Sequence, residues 1–315
     1  MKEAPVLDDA AIVALRPAKN AVSTDRPYAF FAEPERTRNG TIEDVATLLL
    51  TNRECPFRCL MCDLWKNTTD TRVPIGSVPA QIQYALSRLP QVRHIKLYNA
   101  GNFFDSQAIP SADVPTVAKQ LAGMQTVIIE CHPKLIDNRC RVFRDQLGCD
   151  LEVAMGLETI HPEVLPRLNK RMTLDDFRGA GDFLLQNGIA VRAFLLLRPP
   201  YLSEEEGVDW ACRSLDYALS AGVGCCVVIP TRAGNGAIDL LQQQGHFSPP
   251  RLSSLEQVLE WGIQLRKGRV FVDLWDIEKL FECQRCGPAR AERLRQMNHT
   301  QTSLPPIACD CKEPS

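Results

Sequence analysis

The chain has 315 residues and a formal net charge of −2, with 45% of residues hydrophobic and 23% charged. That composition is globular, long enough to bury a large core as one α/β barrel or two mid-sized domains. No apolar run approaches the ~18 residues of a membrane span, which excludes a transmembrane helix. The lack of a basic bias weakens nucleic acid as a direct partner without excluding it. The opening MKEAPVLDDAAIVALR carries acids where a signal peptide needs its apolar stretch, so a cytoplasmic location is expected.

Residues 1–41 read as an irregular arm, with Pro17, Pro27 and Pro34 set among charges. From residue 42 to 275 a rhythm repeats. β-rich runs at 45–51, 94–98, 126–130, 151–157, 190–197, 223–229 and 270–274 alternate with helical patterns, for example at 80–89, 114–122, 174–187 and 205–221. Gly188 and Gly222 fall where helices should end, just before the next strand. This alternation predicts a parallel sheet with right-handed crossovers, best accommodated as an α/β fold of the partial (β/α) barrel kind. No G-x-G-x-x-G follows the first strand and no P-loop occurs, so the usual dinucleotide and ATP sites are absent. Residues 276–315 form a cysteine-bearing C-terminal extension.

In a parallel barrel, chemistry collects on the loops after the strands. The first core strand runs into TNRECPFRCLMC, which places Cys55, Cys59 and Cys62 at C-x3-C-x2-C spacing on such a loop. The chain has thirteen cysteines, an odd number, and no secretory signal, so clustered ones are read as metal ligands rather than disulfides. Three thiolates on a short loop can each take a different iron of one small cubane. Zinc would want four protein ligands, or three including histidine, and no histidine is near. A redox thiol site would need only one or two of the three. Cys131, Cys140, Cys149, Cys212, Cys225 and Cys226 are scattered and read as small buried hydrophobes.

The other strand ends carry polar groups. The second ends in YNAGNFFD with Gly101 and Asn102, the third delivers Glu130 in IIECHPK, and the fourth delivers Glu158 in MGLET. A carboxylate ending an apolar strand needs a cation or donor nearby, and a rim salt bridge is the plain alternative to a binding role. The fifth ends in FLLLRPP with Arg198, which is suited to a ligand carboxylate or to an ordinary pair with Glu204 or Glu205. Pro230 ends the sixth, followed by the turn of Gly234, Asn235 and Gly236. His132, His161 and His246 are lone loop histidines with no pattern that marks a base.

The tail holds Cys283 and Cys286, then, after 22 residues, Cys309 and Cys311. Two close pairs that can converge supply four thiolates, fitting either tetrahedral zinc or a second iron–sulfur cluster. Arg290, Arg293 and Arg295 between them lie on an expected helix, as a solvated face or a local phosphate-binding patch.

The C-x3-C-x2-C triplet at the end of the first barrel strand resembles the signature of the radical S-adenosylmethionine superfamily, in the branch of methylthiotransferases, the elongator catalytic subunit and oxygen-independent coproporphyrinogen oxidase. The resemblance implies a [4Fe-4S] cluster on Cys55, Cys59 and Cys62, whose open iron chelates S-adenosylmethionine. Reductive cleavage then gives methionine and a 5′-deoxyadenosyl radical, with a reductase or a flavodoxin- or ferredoxin-type protein as electron donor. It further implies cofactor or substrate contacts from Gly101, Asn102, Glu130, Glu158, Arg198 and the backbone at Pro230. The family usually has a Gly-Gly-Glu-like turn where Gly101 and Asn102 stand, and the acid is missing here. YNAGNFFD, IECHP, LLRPPYLSEEE and the cysteine-paired tail are most similar to the archaeosine-biosynthesis radical enzyme family. That family acts on a lysine-bearing deazaguanine in tRNA, which implies carbon–nitrogen bond cleavage and a tRNA or tRNA-modifying protein as partner. Two other readings stand beside it: a radical enzyme acting on another small-molecule or peptide substrate, and a non-enzymatic iron–sulfur electron carrier.

Overall fold

A computed structural model describes residues 5–309 and 311. Its centre is one eight-stranded sheet: β1 (Ala29–Arg36), β2 (Ile42–Leu50), β3 (His94–Asn99), β4 (Thr126–Glu130), β5 (Asp150–Glu158), β6 (Ala190–Leu197), β7 (Cys225–Pro230) and β8 (Arg269–Val272). The strands lie in sequence order; β1 and β2 are antiparallel and every later pair is parallel. The α-helices are α1 (Asp9–Ala14), α2 (Ser77–Leu86), α3 (Val114–Leu121), α4 (Asn138–Leu147), α5 (Val164–Arg167), α6 (Leu174–Gln186), α7 (Glu204–Ser220), α8 (Ala237–Gln243), α9 (Leu252–Gln264) and α10 (Gly287–Thr300). Among the described residues no helix is long and apolar enough to cross a membrane.

The segment before residue 42 is more ordered than its composition suggests. It holds α1 and β1, and β1 was hidden in the sequence by Pro34 and by its charged neighbours. Proline removes a backbone donor and is tolerated on an edge strand, which is where β1 lies, with Pro34 opposite Asp44. Gly188 (φ 67°) and Gly222 (φ 89°) follow α6 and α7 in the left-handed conformation that ends a helix, as their positions foretold.

Contacts between strands that are not neighbours show that the sheet is rolled. Glu35 on β1 bonds Arg192 on β6 at 2.8 Å, and Arg269 on β8 bonds Glu152 on β5 at 2.9 Å. Tyr98 on β3 meets Phe194 on β6 edge-to-face, with ring centroids 5.9 Å apart. Ile95, Leu97, Val153, Val191, Ala193 and Leu195 point the other way and pack under the helices, as strand alternation requires.

The barrel is filled at its lower end by charge rather than by aliphatic side chains. Lys96 bonds Glu35 at 2.5 Å, and Arg192 joins Glu35 to Glu152, which Arg269 also holds. Burial alone would raise both carboxyls, but Arg192, aided by Lys96 at Glu35 and by Arg269 at Glu152, outweighs it and holds both below the ordinary range.

The sheet stays open between β1 and β8, and α10 lies across that seam. Asn298 and Gln301 use their amides as a strand would. Asn298 pairs with the Val272 N–H and carbonyl at 3.0 and 2.9 Å, and Gln301 with those of Val270 at 2.7 and 2.8 Å. His299 and Arg36 tie the other side to β1 through backbone carbonyls. An edge strand that would otherwise offer unpaired backbone groups is thus covered.

Removing Arg192 leaves two buried carboxylates without their shared cation. Arg192→Met is expected to lower the unfolding free energy by roughly 3–5 kcal/mol in urea titrations at pH 7. Because both carboxyls are depressed on folding, their contribution is full above about pH 4.3, the ordinary glutamate value, and is lost as pH falls from there toward the folded values. The wild-type protein should therefore lose stability steeply below about pH 4.3, and the variant less steeply.

Candidate metal centre

β2 ends at Leu50, and the chain from 51 to 63 crosses the barrel mouth with almost no secondary structure of its own. Its shape is imposed from outside. Asn235, in the turn after β7, donates through Nδ2 to the carbonyls of Leu60 (2.8 Å) and Cys62 (3.2 Å), while its Oδ1 accepts from the Ile238 N–H. The Leu60 N–H donates to the Leu168 carbonyl at 2.8 Å, and Asn169 donates to the Arg58 carbonyl at 2.8 Å. Glu54 is held by Arg16, Lys19 and Arg58, and burial is outweighed by these cations, so its carboxyl lies below the usual range. Leu60 itself is fully buried in a small core with Leu7, Ile12, Val164 and Leu168.

This scaffold presents Cys55, Cys59 and Cys62. Burial pushes each thiol up to about 12, so none would ionise alone near neutral pH. Each thiol is raised further by another of the three: Cys55 by Cys62, Cys59 by Cys55 and Cys62 by Cys59. Among the described residues, Cys283, Cys286, Cys309 and Cys311 are the set of possible metal ligands whose atoms all gather within 4.8 Å. Soft sulfur donors, buried and awaiting compensation by positive charge, fit an iron–sulfur cluster.

Asn102 and Gly101 support Cys55 directly. Asn102 Nδ2 lies 3.5 Å from Cys55 Sγ, and its Oδ1 accepts from the His132 N–H, joining the end of β4 to the loop. Gly101 adopts φ 140°, and a Cβ there would press to 3.2 Å from Cys55 Cβ. β4 contributes Glu130, half-buried at its end; desolvation, with incomplete relief from Lys170, pushes its carboxyl up to about 8.

Glu158 ends β5 with φ 65°, a conformation uncommon for a side-chain-bearing residue, and so turns its carboxylate onto the Lys170 ammonium. Both side chains are 8% exposed. Burial alone would lower Lys170, but Glu158, with Cys59 next, overrides it and its pKa is raised. Gly156 makes the pair possible, because a Cβ at that position would overlap Glu158 Oε1 and Lys170 Nζ. His132 stacks on Phe57 with centroids 3.9 Å apart and lies 3.0 Å from the Lys170 carbonyl. Burial, then Lys170, holds its imidazole down to about 4, so it is neutral.

Of the residues singled out in the sequence, the loop cysteines, Gly101, Asn102, Glu130 and Glu158 are gathered around the mouth. Pro230 pairs with Leu197 where β6 and β7 end, above the turn that carries Asn235. Arg198 takes the rim ion pair that was its plain alternative: φ 52° turns it onto Glu204 at 2.5 Å and the Pro249 carbonyl at 2.9 Å. The cation beside Cys59 is Lys170. Twelve residues beyond Glu158 in a loop, it carried no sequence signal besides closing the phrase GLETIHPEVLPRLNK. Arg290 and Arg293 are committed to Glu256, Glu260 and Glu282, so no free phosphate patch forms from them.

The rolled, mostly parallel half-barrel with its mouth loop is the fold of radical S-adenosylmethionine enzymes. Methylornithine synthase superposes with a TM-score of 0.55 at 15% identity, over 86% of this chain and 74% of that one. In sequence, the chain is similar to archaeosine synthase subunit beta of Methanosarcina acetivorans, 23% identical over 87% of this chain and 85% of the relative. An uncharacterized protein of Methanocaldococcus jannaschii is 22% identical over 91% of this chain and 85% of its own length. No protein-family profile matches.

Gly156→Ala would force the ends of Glu158 and Lys170 to shift beside Cys59. The variant is expected to lose about 1–3 kcal/mol of stability and to bind less iron on anaerobic reconstitution. Iron content and the visible absorbance of the cluster measure the second effect.

Proposed function

We propose that this chain is a radical S-adenosylmethionine enzyme, with a [4Fe-4S] cluster on Cys55, Cys59 and Cys62. One observation carries the reading: three half-buried thiols on the loop after β2, clamped by Asn102 and Asn235 and faced by the Lys170–Glu158 pair. When bound, such a cluster supplies the reductive cleavage of S-adenosylmethionine to methionine and a 5′-deoxyadenosyl radical.

The chain's own residues supply position, charge and dryness. Cys55, Cys59 and Cys62 would hold the cluster by three of its irons, and the fourth would be free to take the amino and carboxylate groups of S-adenosylmethionine. Lys170 offsets negative charge at Cys59, and Glu158 keeps that ammonium protonated and pointed. Glu130, with its carboxyl near neutrality, can donate a hydrogen bond to a ligand in the mouth. The backbone after Pro230, close to Asn235 and the cysteine loop, is suited to pack against the adenine. Gly101 and Asn102 act through Cys55, as positioning residues. A pure electron carrier needs a cluster and a docking face, and has no use for acids and a lysine gathered beside the cysteine loop.

For the substrate, the similarity to archaeosine synthase subunit beta over most of both chains favours a lysine-bearing deazaguanine in tRNA, with carbon–nitrogen bond cleavage. With a net charge of −2 and its tail arginines already paired, the chain would rely on a partner subunit for the basic surface that tRNA requires. Electrons would come from a reductase or a flavodoxin- or ferredoxin-type protein, and the setting would be the cytoplasm.

The test is 5′-deoxyadenosine formation by anaerobically reconstituted, reduced protein given S-adenosylmethionine, alone and with deazaguanine-modified tRNA. Product is expected from the wild type and should fall at least 100-fold in Cys59→Ala, on the scale by which losing a metal's ligand shell degrades activity. Product that persists in Cys59→Ala would contradict the cluster assignment. A fully loaded wild-type protein that neither binds nor cleaves S-adenosylmethionine would contradict the enzyme.

A further inference from the structure

The four tail cysteines form a set separate from the loop triplet. Cys283 and Cys286 flank the turn that opens α10, where Cys286 is the N-cap residue and the Gly287 N–H donates to the Cys283 carbonyl at 2.8 Å. After α10 the chain runs without regular structure and comes back along the helix. Arg293 fixes that return, donating to the Pro305 carbonyl at 2.8 Å and to the Leu304 carbonyl. The result brings Cys309 and Cys311 to Cys283 and Cys286, with all four sulfurs within 4.8 Å of one another and Cys286 Sγ 3.6 Å from Cys311 Sγ.

That spacing discriminates between the two metals the cysteine pattern admits. A zinc ion with four sulfurs at about 2.3 Å sets them on a tetrahedron whose edges are about 3.8 Å. A cubane places each thiolate on its own iron at a separate corner, so the sulfurs must stand much farther apart. The site is also closed, since four thiolates complete zinc's preferred number and leave no position for a substrate. A disulfide between Cys286 and Cys311 would require the sulfurs to close to about 2.05 Å.

From this geometry we propose that Cys283, Cys286, Cys309 and Cys311 bind one structural zinc ion, and not an auxiliary iron–sulfur cluster. The ion fastens the returning tail to the start of α10. Because α10 covers the seam between β1 and β8, the zinc stabilises barrel closure from outside. Zinc(II) is a d10 ion that does not change oxidation state in proteins, so the tail takes no part in redox chemistry.

Metal analysis of the full chain, purified anaerobically from cells supplied with both metals, tests this. About one zinc per chain is expected in the wild type and equally in Cys59→Ala. The double variant Cys286→Ser/Cys311→Ser should lose that zinc while its iron content is unchanged. Iron that falls by half in the double variant, or stoichiometric zinc that survives there, would overturn the proposal. Should the double variant fail to fold, zinc-edge X-ray absorption on the wild type decides: sulfur alone at about 2.3 Å supports the site. Nitrogen or oxygen in the shell, or a zinc-free wild type, overturns it. The outcome at these four cysteines does not depend on whether the barrel cleaves S-adenosylmethionine.

Discussion

A thiol ionises only where positive charge or donors compensate the anion, and this barrel mouth holds three of them, each half-buried. Alone, Cys55, Cys59 and Cys62 would remain protonated, with burial pushing each up to about 12. The loop that carries them lacks regular structure, so its geometry depends on what grips it: Asn235 from the turn after β7, Leu168 and Asn169 from the loop after α5, Asn102 from the end of β3, and α1 packed beneath. Those grips come from segments far apart in the chain. They converge only because the sheet is rolled, and the cluster site is therefore a property of the whole barrel.

The roll is specified from inside by charge. Glu35, Glu152, Lys96, Arg192 and Arg269 form one buried network that joins β1, β3, β5, β6 and β8. Aliphatic side chains would fill the same space with less directional preference, whereas each of these ion pairs forms in one arrangement only. Above the network, Tyr98 and Phe194 separate it from the mouth, where Glu130, Glu158 and Lys170 gather. On the outside, α10 replaces the missing neighbour of β8 with two side-chain amides, so closure is divided between an inner electrostatic tie and an outer helix.

Much of this is legible in the sequence where the signal is local. Seven of the strands follow apolar runs bounded by turns, and the cysteine triplet declares itself by spacing. The parts that are not legible depend on contacts at a distance. Pro34 and the charges around it disguise β1, and those same charges prove to be barrel-interior groups: Glu35 is polar because Arg192 lies opposite, 157 residues away. Arg198 looks like the natural partner for a ligand carboxylate, and a left-handed backbone at its position turns it onto Glu204 instead. Lys170 takes the place beside Cys59 through a loop whose path is set by Asn169 and Arg171, both in the same left-handed conformation. No spacing rule connects these residues before the chain is folded.

The central claim is a cluster held by three cysteines, with one iron left open to S-adenosylmethionine. Electron paramagnetic resonance of the reduced, reconstituted protein addresses that directly, because ligation at the open iron alters the cluster's signal. The account predicts a spectrum that changes on titration with S-adenosylmethionine and saturates as the site fills. A four-iron signal identical with and without saturating S-adenosylmethionine would contradict it.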